Sequence, residues 1–130
     1  MKLLLDTHVW IWALLQPDQI ASGTAGVLED AKNELWLSPV SVWELLMLAE
    51  RGRVELDRAP AQWVTEALDA WPVRDAPLNR AVALRSRTID LPHDDPADRF
   101  ITSTALEYDL VLVTRDARLL SSREVTMMRA

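Results

Sequence analysis

The chain alternates short unbroken apolar runs with longer amphipathic ones. Leu3-Leu4-Leu5 has no polar alternation, as expected of a central strand covered on both faces. Thr7 to Leu15 predicts a helix apolar on every side, through Val9, Trp10, Ile11, Trp12, Leu14 and Leu15. Such a helix is buried or pairs with another chain. Gln16-Pro17-Asp18 stops it. Ser22 to Asn33 predicts a polar, exposed helix capped by Ser22, with Val27 and Leu28 turned inward. Leu35-Trp36-Leu37 is a second strand. Ser41 to Arg51 is a second strongly apolar helix, closed by Gly52. A connector over Arg53 to Arg58 leads to a helix from Ala61 to Ala70, after Pro60. Trp71-Pro72-Val73 fits a short edge strand, the place in a sheet where proline is tolerated.

Leu78 to Thr88 predicts an amphipathic helix, and Asp90 to Asp95 an acidic loop. Ala97 to Tyr108 predicts a helix with Ala97, Phe100, Ile101, Ala105 and Tyr108 along one stripe. Leu110 to Val113 is a fully apolar strand, Ala117 to Leu120 one helical turn, and Val125 to Met128 a last short strand. Strands separated by helices predict an α/β fold with a mostly parallel sheet between helical layers. Nothing in the sequence marks a repeat, a linker or a boundary, so residues 1–130 are expected to form a single domain.

Right-handed crossovers would place every strand C-terminus on one edge, where such folds bind ligands. Four acids fall where strands end or helices begin: Asp6, Glu44, Asp98 and Asp116. Each also has a local explanation. Asp6 can cap the helix that follows it, although Thr7 can do the same. Glu44 lies three residues after Ser41, the spacing of a capping box. It is also the only charge between Val40 and Ala49, and a lone buried carboxylate is costly. In Asp95-Pro96-Ala97-Asp98, Asp95 caps, Pro96 takes the first helical position and Asp98 complements the helix dipole. Asp98 lies off the apolar stripe, free to reach the sheet edge. Asp116 can close a turn before Ala117, and Thr114 can orient a neighbouring carboxylate. Carboxylates crowded on one edge repel one another, and a divalent cation is the simplest remedy. Oxygen-only ligands suit Mg²⁺ or Mn²⁺ rather than zinc.

Composition narrows this further. There is no cysteine among the 130 residues, hence no disulfide and no thiolate metal site. The first apolar stretch is too short for a signal peptide or a membrane span, so the expected location is cytoplasmic, with no membrane partner. A net charge of −6 argues against a passive nucleic-acid binder but not against a nuclease, whose metal meets the phosphate. The six tryptophans fit core or subunit interface better than base stacking. His8 and His93 lack metal-ligand spacing, and His8 reads as packed or capping. Ser38, Ser41 and Ser103 have no histidine base nearby, and Gly23 and Gly26 make no phosphate loop. Arg99 and Arg115 flank the proposed site. They can contact phosphate, though without substrate pairing with an acid suits them better. Of the acidic loop, Asp90 and Asp94 read as solvated, with Asp95 the possible accessory ligand.

Four segments, Leu3-Leu4-Leu5-Asp6-Thr7-His8, Ser41-Val42-Trp43-Glu44, His93-Asp94-Asp95-Pro96-Ala97-Asp98-Arg99 and Leu112-Val113-Thr114-Arg115-Asp116, resemble the successive motifs of PIN domains. More closely they resemble the VapC-type toxins of bacterial toxin–antitoxin pairs. The likeness runs from Met1 to about Leu120 and then fades. It implies a three-layer α/β/α sandwich and a metal-dependent ribonuclease in which Asp6, Glu44, Asp98 and Asp116 hold Mg²⁺ or Mn²⁺. It also implies a homodimer, and a cognate antitoxin whose C-terminal segment covers the active-site groove. Relatives commonly carry Phe where this chain has Ala97, a packing change. Asp116 is the acid that varies most among them. The expected activity is hydrolysis of an RNA phosphodiester, with Thr7 and Thr114 supporting the carboxylates or binding substrate. The alternatives are a phosphatase or DNA nuclease on a similar scaffold, and a non-catalytic module that only binds metal.

Overall fold

Leu3, Leu4 and Leu5 are wholly buried. Their strand, β1 (Lys2–Leu5), has a neighbour on each side: β2 (Glu34–Leu37) and β4 (Val111–Thr114), with β3 (Arg74–Asp75) and β5 (Met127–Arg129) at the edges. The computed structural model describes residues 1–120 and 122–130. Its sheet runs in the order β3-β2-β1-β4-β5, and every pairing is parallel. Side chains alternate across the sheet as a two-residue period requires. Leu3, Leu5 and Val113 join one core with Val9, Trp10 and Leu45. Leu4 and Leu112 join the other with Ile101, Ala105 and Leu119. The first core is covered by α1 (Thr7–Leu15), α2 (Ser22–Glu29), α3 (Pro39–Glu50) and α4 (Pro60–Ala70). The second lies under α6 (Pro96–Glu107), with α5 (Arg80–Ser86) against it and α7 (Ala117–Leu120) beside them. This is an α/β/α sandwich.

Several element boundaries differ from the sequence expectation, each for a local reason. Helix α3 begins at Pro39, with the Ser38 hydroxyl accepting the Val40 N–H, so Ser41 is not its cap and Glu44 belongs to no capping box. Proline at the first position suits a helix start because that N–H has no intrahelical partner. The cap of α2 is Ala21, not Ser22. The helix ends at Glu29, because Asp30 closes a turn by accepting the Lys32 N–H on its side chain and the Asn33 N–H on its backbone. Strand β3 forms only after Pro72, at the edge, where Arg74 and Asp75 pair with Trp36 and Leu37. Helix α5 is shorter than the apolar pattern and is capped by Asn79, whose side chain accepts the Val82 N–H. Of the tryptophans only Trp10 is fully buried, while Trp43 is 57% exposed. Gly52 closes α3 with φ +70°, a conformation that an L side chain rarely adopts.

After β1 the chain builds the sheet toward β3, then crosses back to lay β4 on the other side of β1. The order therefore reverses between β1 and β4. A crevice opens at that point beyond the strand C-termini.

Candidate metal centre

Asp6 is the first residue beyond β1 and stands in this crevice. Its N–H still bonds the Val113 carbonyl at 3.0 Å, which fixes its backbone to β4. One side-chain oxygen accepts the Thr7 N–H at 2.8 Å, so Asp6 does cap α1. The other accepts the Thr114 hydroxyl at 2.7 Å. Thr114, the last residue of β4, in turn accepts the Asp116 N–H at 3.1 Å. Cap and site residue are thus compatible roles, since a carboxylate offers about four lone-pair directions. Burial pushes the Asp6 carboxyl above its ordinary value, against the pull of Thr114, Thr7 and His8.

Glu44 comes in from α3. With the helix starting at Pro39, Ser41 and Glu44 lie three apart on one face and both meet Thr7. The Thr7 hydroxyl donates to Glu44 Oε1 and lies 2.8 Å from Ser41 Oγ. A hydroxyl has one proton, so Thr7 gives it to the carboxylate and receives from Ser41. Burial, and then Asp6, raise the Glu44 carboxyl; the Thr7 bond offsets part of this.

Asp98 enters from the first turn of α6. Asp95 caps that helix by accepting the Asp98 N–H at 3.0 Å. Burial pushes the Asp98 carboxyl up to about 7, with Asp6, Asp95, Asp116 and Glu44 all adding to it. Asp116 goes the other way. Arg118 holds it in a fork, Nε to Oδ1 at 3.1 Å and Nη2 to Oδ2 at 2.8 Å, and lowers its carboxyl. The same Nη2 lies 3.8 Å from Asp98 Oδ2.

Asp6, Glu44, Asp95, Asp98 and Asp116 share one cavity of about 420 Å³, with His8, Trp12, Arg115 and Arg118 completing its wall. The four acids singled out in the sequence therefore line one cavity, although among the described residues only His93, Asp98 and Asp116 bring ligand atoms within 4.8 Å of one another. Asp95 and Arg115 line it too, while Thr7 and Thr114 stand behind the carboxylates as their hydrogen-bond donors. Arg115 lies over the Trp12 ring, 4.4 Å from its centroid, and reaches Gln19 at 3.4 Å. Arg99 is elsewhere. It is buried and donates to the carbonyls of Ser86 (2.7 Å), Ile89 (2.8 Å) and His93 (3.3 Å). Its Nε also lies 3.6 Å from Asp94 Oδ1, so it pairs with an acid and ties the end of α5 to the acidic loop. His8 is neither packed nor capping: it is exposed, tilted against Trp12 at 5.8 Å. Asp94 is exposed and paired with Arg87, and Asp90 is exposed outside the cavity wall.

Arg118 went unread in the sequence, and His93 was read there as lacking metal-ligand spacing. His93 Nε2 lies 3.3 Å from Asp98 Oδ2, and His93, Asp98 and Asp116 bring one ligand atom each within 4.8 Å of one another. His93 Nδ1 accepts the Asp95 N–H at 3.2 Å. His93 Nε2 is buried and makes no hydrogen bond within the protein, so it stands beside Asp98 as a further possible ligand next to the carboxylates. Hard oxygen donors, crowded and with three of the four acids resisting ionisation, fit Mg²⁺ or Mn²⁺.

The sequence matches the model of the PIN domain over residues 3–124. It is 35% identical over 123 residues to Ribonuclease VapC22 of Mycobacterium tuberculosis, spanning 92% of this chain and 91% of that one. Its fold is similar to that in VapBC2 from Rickettsia felis bound to a promoter DNA fragment (TM-score 0.72, 14% identity, 99% and 98% of the two chains). It is also similar to that in DNA-bound VapBC from Salmonella typhimurium (TM-score 0.70, 14% identity, 99% and 98%). The chain belongs to the PIN-domain family and, within it, to the VapC-type ribonucleases.

Proposed function

We propose that this chain is a Mg²⁺- or Mn²⁺-dependent endoribonuclease toxin whose site is the β1/β4 crevice. The observation that carries the reading is the convergence of Asp6, Glu44, Asp98 and Asp116, from four separate segments, on one cavity. Asp6, Glu44 and Asp98 would hold the ion, with Asp116 holding it directly or through water. A bound divalent ion supplies positive charge against the scissile phosphate and acidifies water beside it. The protein's own part is positioning. Thr114 and the Thr7 N–H fix the two oxygens of Asp6, and the Thr7 hydroxyl fixes Glu44. Such supporting contacts are commonly worth ten- to a hundredfold in metal affinity or activity. Arg115 and Arg118 in the wall give an acidic protein local positive charge where a phosphodiester would enter.

A cognate antitoxin is part of the proposal, supported by likeness to VapBC chains and to a toxin–antitoxin complex from Klebsiella pneumoniae (TM-score 0.62). So is a homodimer. Trp43 and Leu78, 57% and 42% exposed, border an apolar hollow of about 350 Å³ suited to such a contact. None of the helices, among the described residues, is long and apolar enough to cross a membrane.

The test is cleavage of single-stranded RNA, structured RNA, DNA and a small phosphoester, with Mg²⁺ or Mn²⁺ and with chelator. Metal-dependent cleavage of RNA, lost in Asp6→Asn and Asp98→Asn, is expected. Full activity of either variant with saturating metal would refute the assignment.

A further inference from the structure

Arg118 already occupies the outer half of the carboxylate cluster. Its fork takes both oxygens of Asp116, its backbone N–H adds a third bond at 2.9 Å, and its Nη2 lies 3.8 Å from Asp98. A divalent ion held by Asp98 and Asp116 would draw on some of those same oxygens. Two positive charges on the same carboxylates repel each other, so the guanidinium and the ion compete.

The surroundings allow the guanidinium to leave. The Arg118 side chain is 58% exposed and sits on α7, a helix of four residues. Ion pairs this open are worth little, because water screens them. Arg115, the other arginine of the cavity wall, is placed differently, over the Trp12 ring and against Gln19. Of the two, it is Arg118 whose charge is spent on the acids that a metal would use.

We propose that Arg118 is a displaceable counter-ion. Before loading it neutralises Asp116 and Asp98; it yields their oxygens to the incoming cation and then turns its guanidinium to the phosphodiester. The proposal rests on the metal-dependent ribonuclease reading. Its consequence is that metal loading and substrate grip are coupled through one side chain. Planar bidentate geometry suits carboxylate and phosphate alike, so the same fork serves both partners in turn.

The experiment titrates Mn²⁺ into wild type, Arg118→Gln and Arg118→Lys by calorimetry at low ionic strength, after circular dichroism has established that each is folded. The expected result is binding tighter by about fivefold or more in Arg118→Gln, with Arg118→Lys in between. With saturating Mn²⁺, KM for a short single-stranded oligoribonucleotide should rise about tenfold in Arg118→Gln and less in Arg118→Lys, with kcat changing less than KM. Unchanged or weaker Mn²⁺ binding in Arg118→Gln overturns the competition. Tighter Mn²⁺ binding with an unchanged KM overturns the transfer to phosphate. A wild-type protein that neither binds Mn²⁺ nor cuts RNA would instead defeat the ribonuclease reading, a different result from either.

Discussion

Replacing Asp98 by Asn should make the metal-free protein more stable, although the residue belongs to the proposed site. The carboxyl titrates at about 7 in the fold, against 3.8 for an ordinary aspartate. The folded state therefore binds a proton more tightly than the unfolded chain does. Between about pH 4 and 7 the folded state carries more protons, so the Asp98 contribution to stability falls as pH rises through that window. At 1.36 kcal/mol per pH unit, the cost of ionising Asp98 above pH 7 has a ceiling of about 4 kcal/mol. The side chain is 17% exposed, and His93 and Arg118 can shift toward the charge, so about half that ceiling is the expectation. For 130 residues, about 2 kcal/mol corresponds to roughly 8 °C in Tm. The assay is thermal unfolding of wild type and Asp98→Asn in chelator, from pH 5 to 8. The variant should gain on wild type as pH rises and lead by about 8 °C at pH 8. Adding Mn²⁺ should narrow or reverse the order, since ligand binding stabilises only the protein that binds it. If Asp98→Asn shows no advantage at pH 8 without metal, burial and the neighbouring acids do not penalise the Asp98 charge as the geometry requires.

Other outcomes follow from the supporting contacts. Thr114→Val keeps the shape of a buried residue but removes the donor to Asp6; metal-dependent RNA cleavage should drop about tenfold to a hundredfold, with Tm within a few degrees of wild type. Arg99→Met leaves the carbonyls of Ser86, Ile89 and His93 without their donor and should cost about 2–4 kcal/mol, read as a fall of roughly 8–16 °C in Tm. Gly52→Ala meets no atom within 4 Å but holds a side chain at φ +70°, so a loss of about 1 kcal/mol in chemical denaturation is expected. An unchanged denaturation midpoint there would mean that the turn relaxes.

The parts of the fold legible in sequence were those set by local chemistry. Thr7–Leu15 and Ala117–Leu120 match their helices, and Asp95-Pro96 marks the start of α6 as read, because each boundary is written in a cap, a proline or an apolar run. Where two local signals competed, the wrong one could be taken. Ser38 and Ser41 can each cap a helix, and Pro39 decides for the first. The placement of Asp6 and Asp116 followed from topology, since a parallel sheet aligns its strand ends, while Glu44 and Asp98 reach the same cavity from helices α3 and α6. The supporting residues were harder to read. His93 reaches the site from the loop before α6 and Arg118 from α7, two residues after Asp116, and neither residue type announced a role there. Arg99 pairs with an acid, Asp94, as read, but its side chain turns away from the cavity into the carbonyls of residues 86, 89 and 93, which its sequence position beside Asp98 did not reveal.

The two strands that flank β1 also fix where motion can occur. Leu3 and Leu4 lie in register with both β2 and β4, Leu5 with β4, and all three are shut away from water, so their amides should be among the last to exchange with deuterium. Asp6 continues that ladder and inherits its stillness. Arg118, a few residues beyond the end of β4, hangs on one turn of helix at the rim. The crevice thus has a fixed floor and a movable lip, and its timing would be set at the lip.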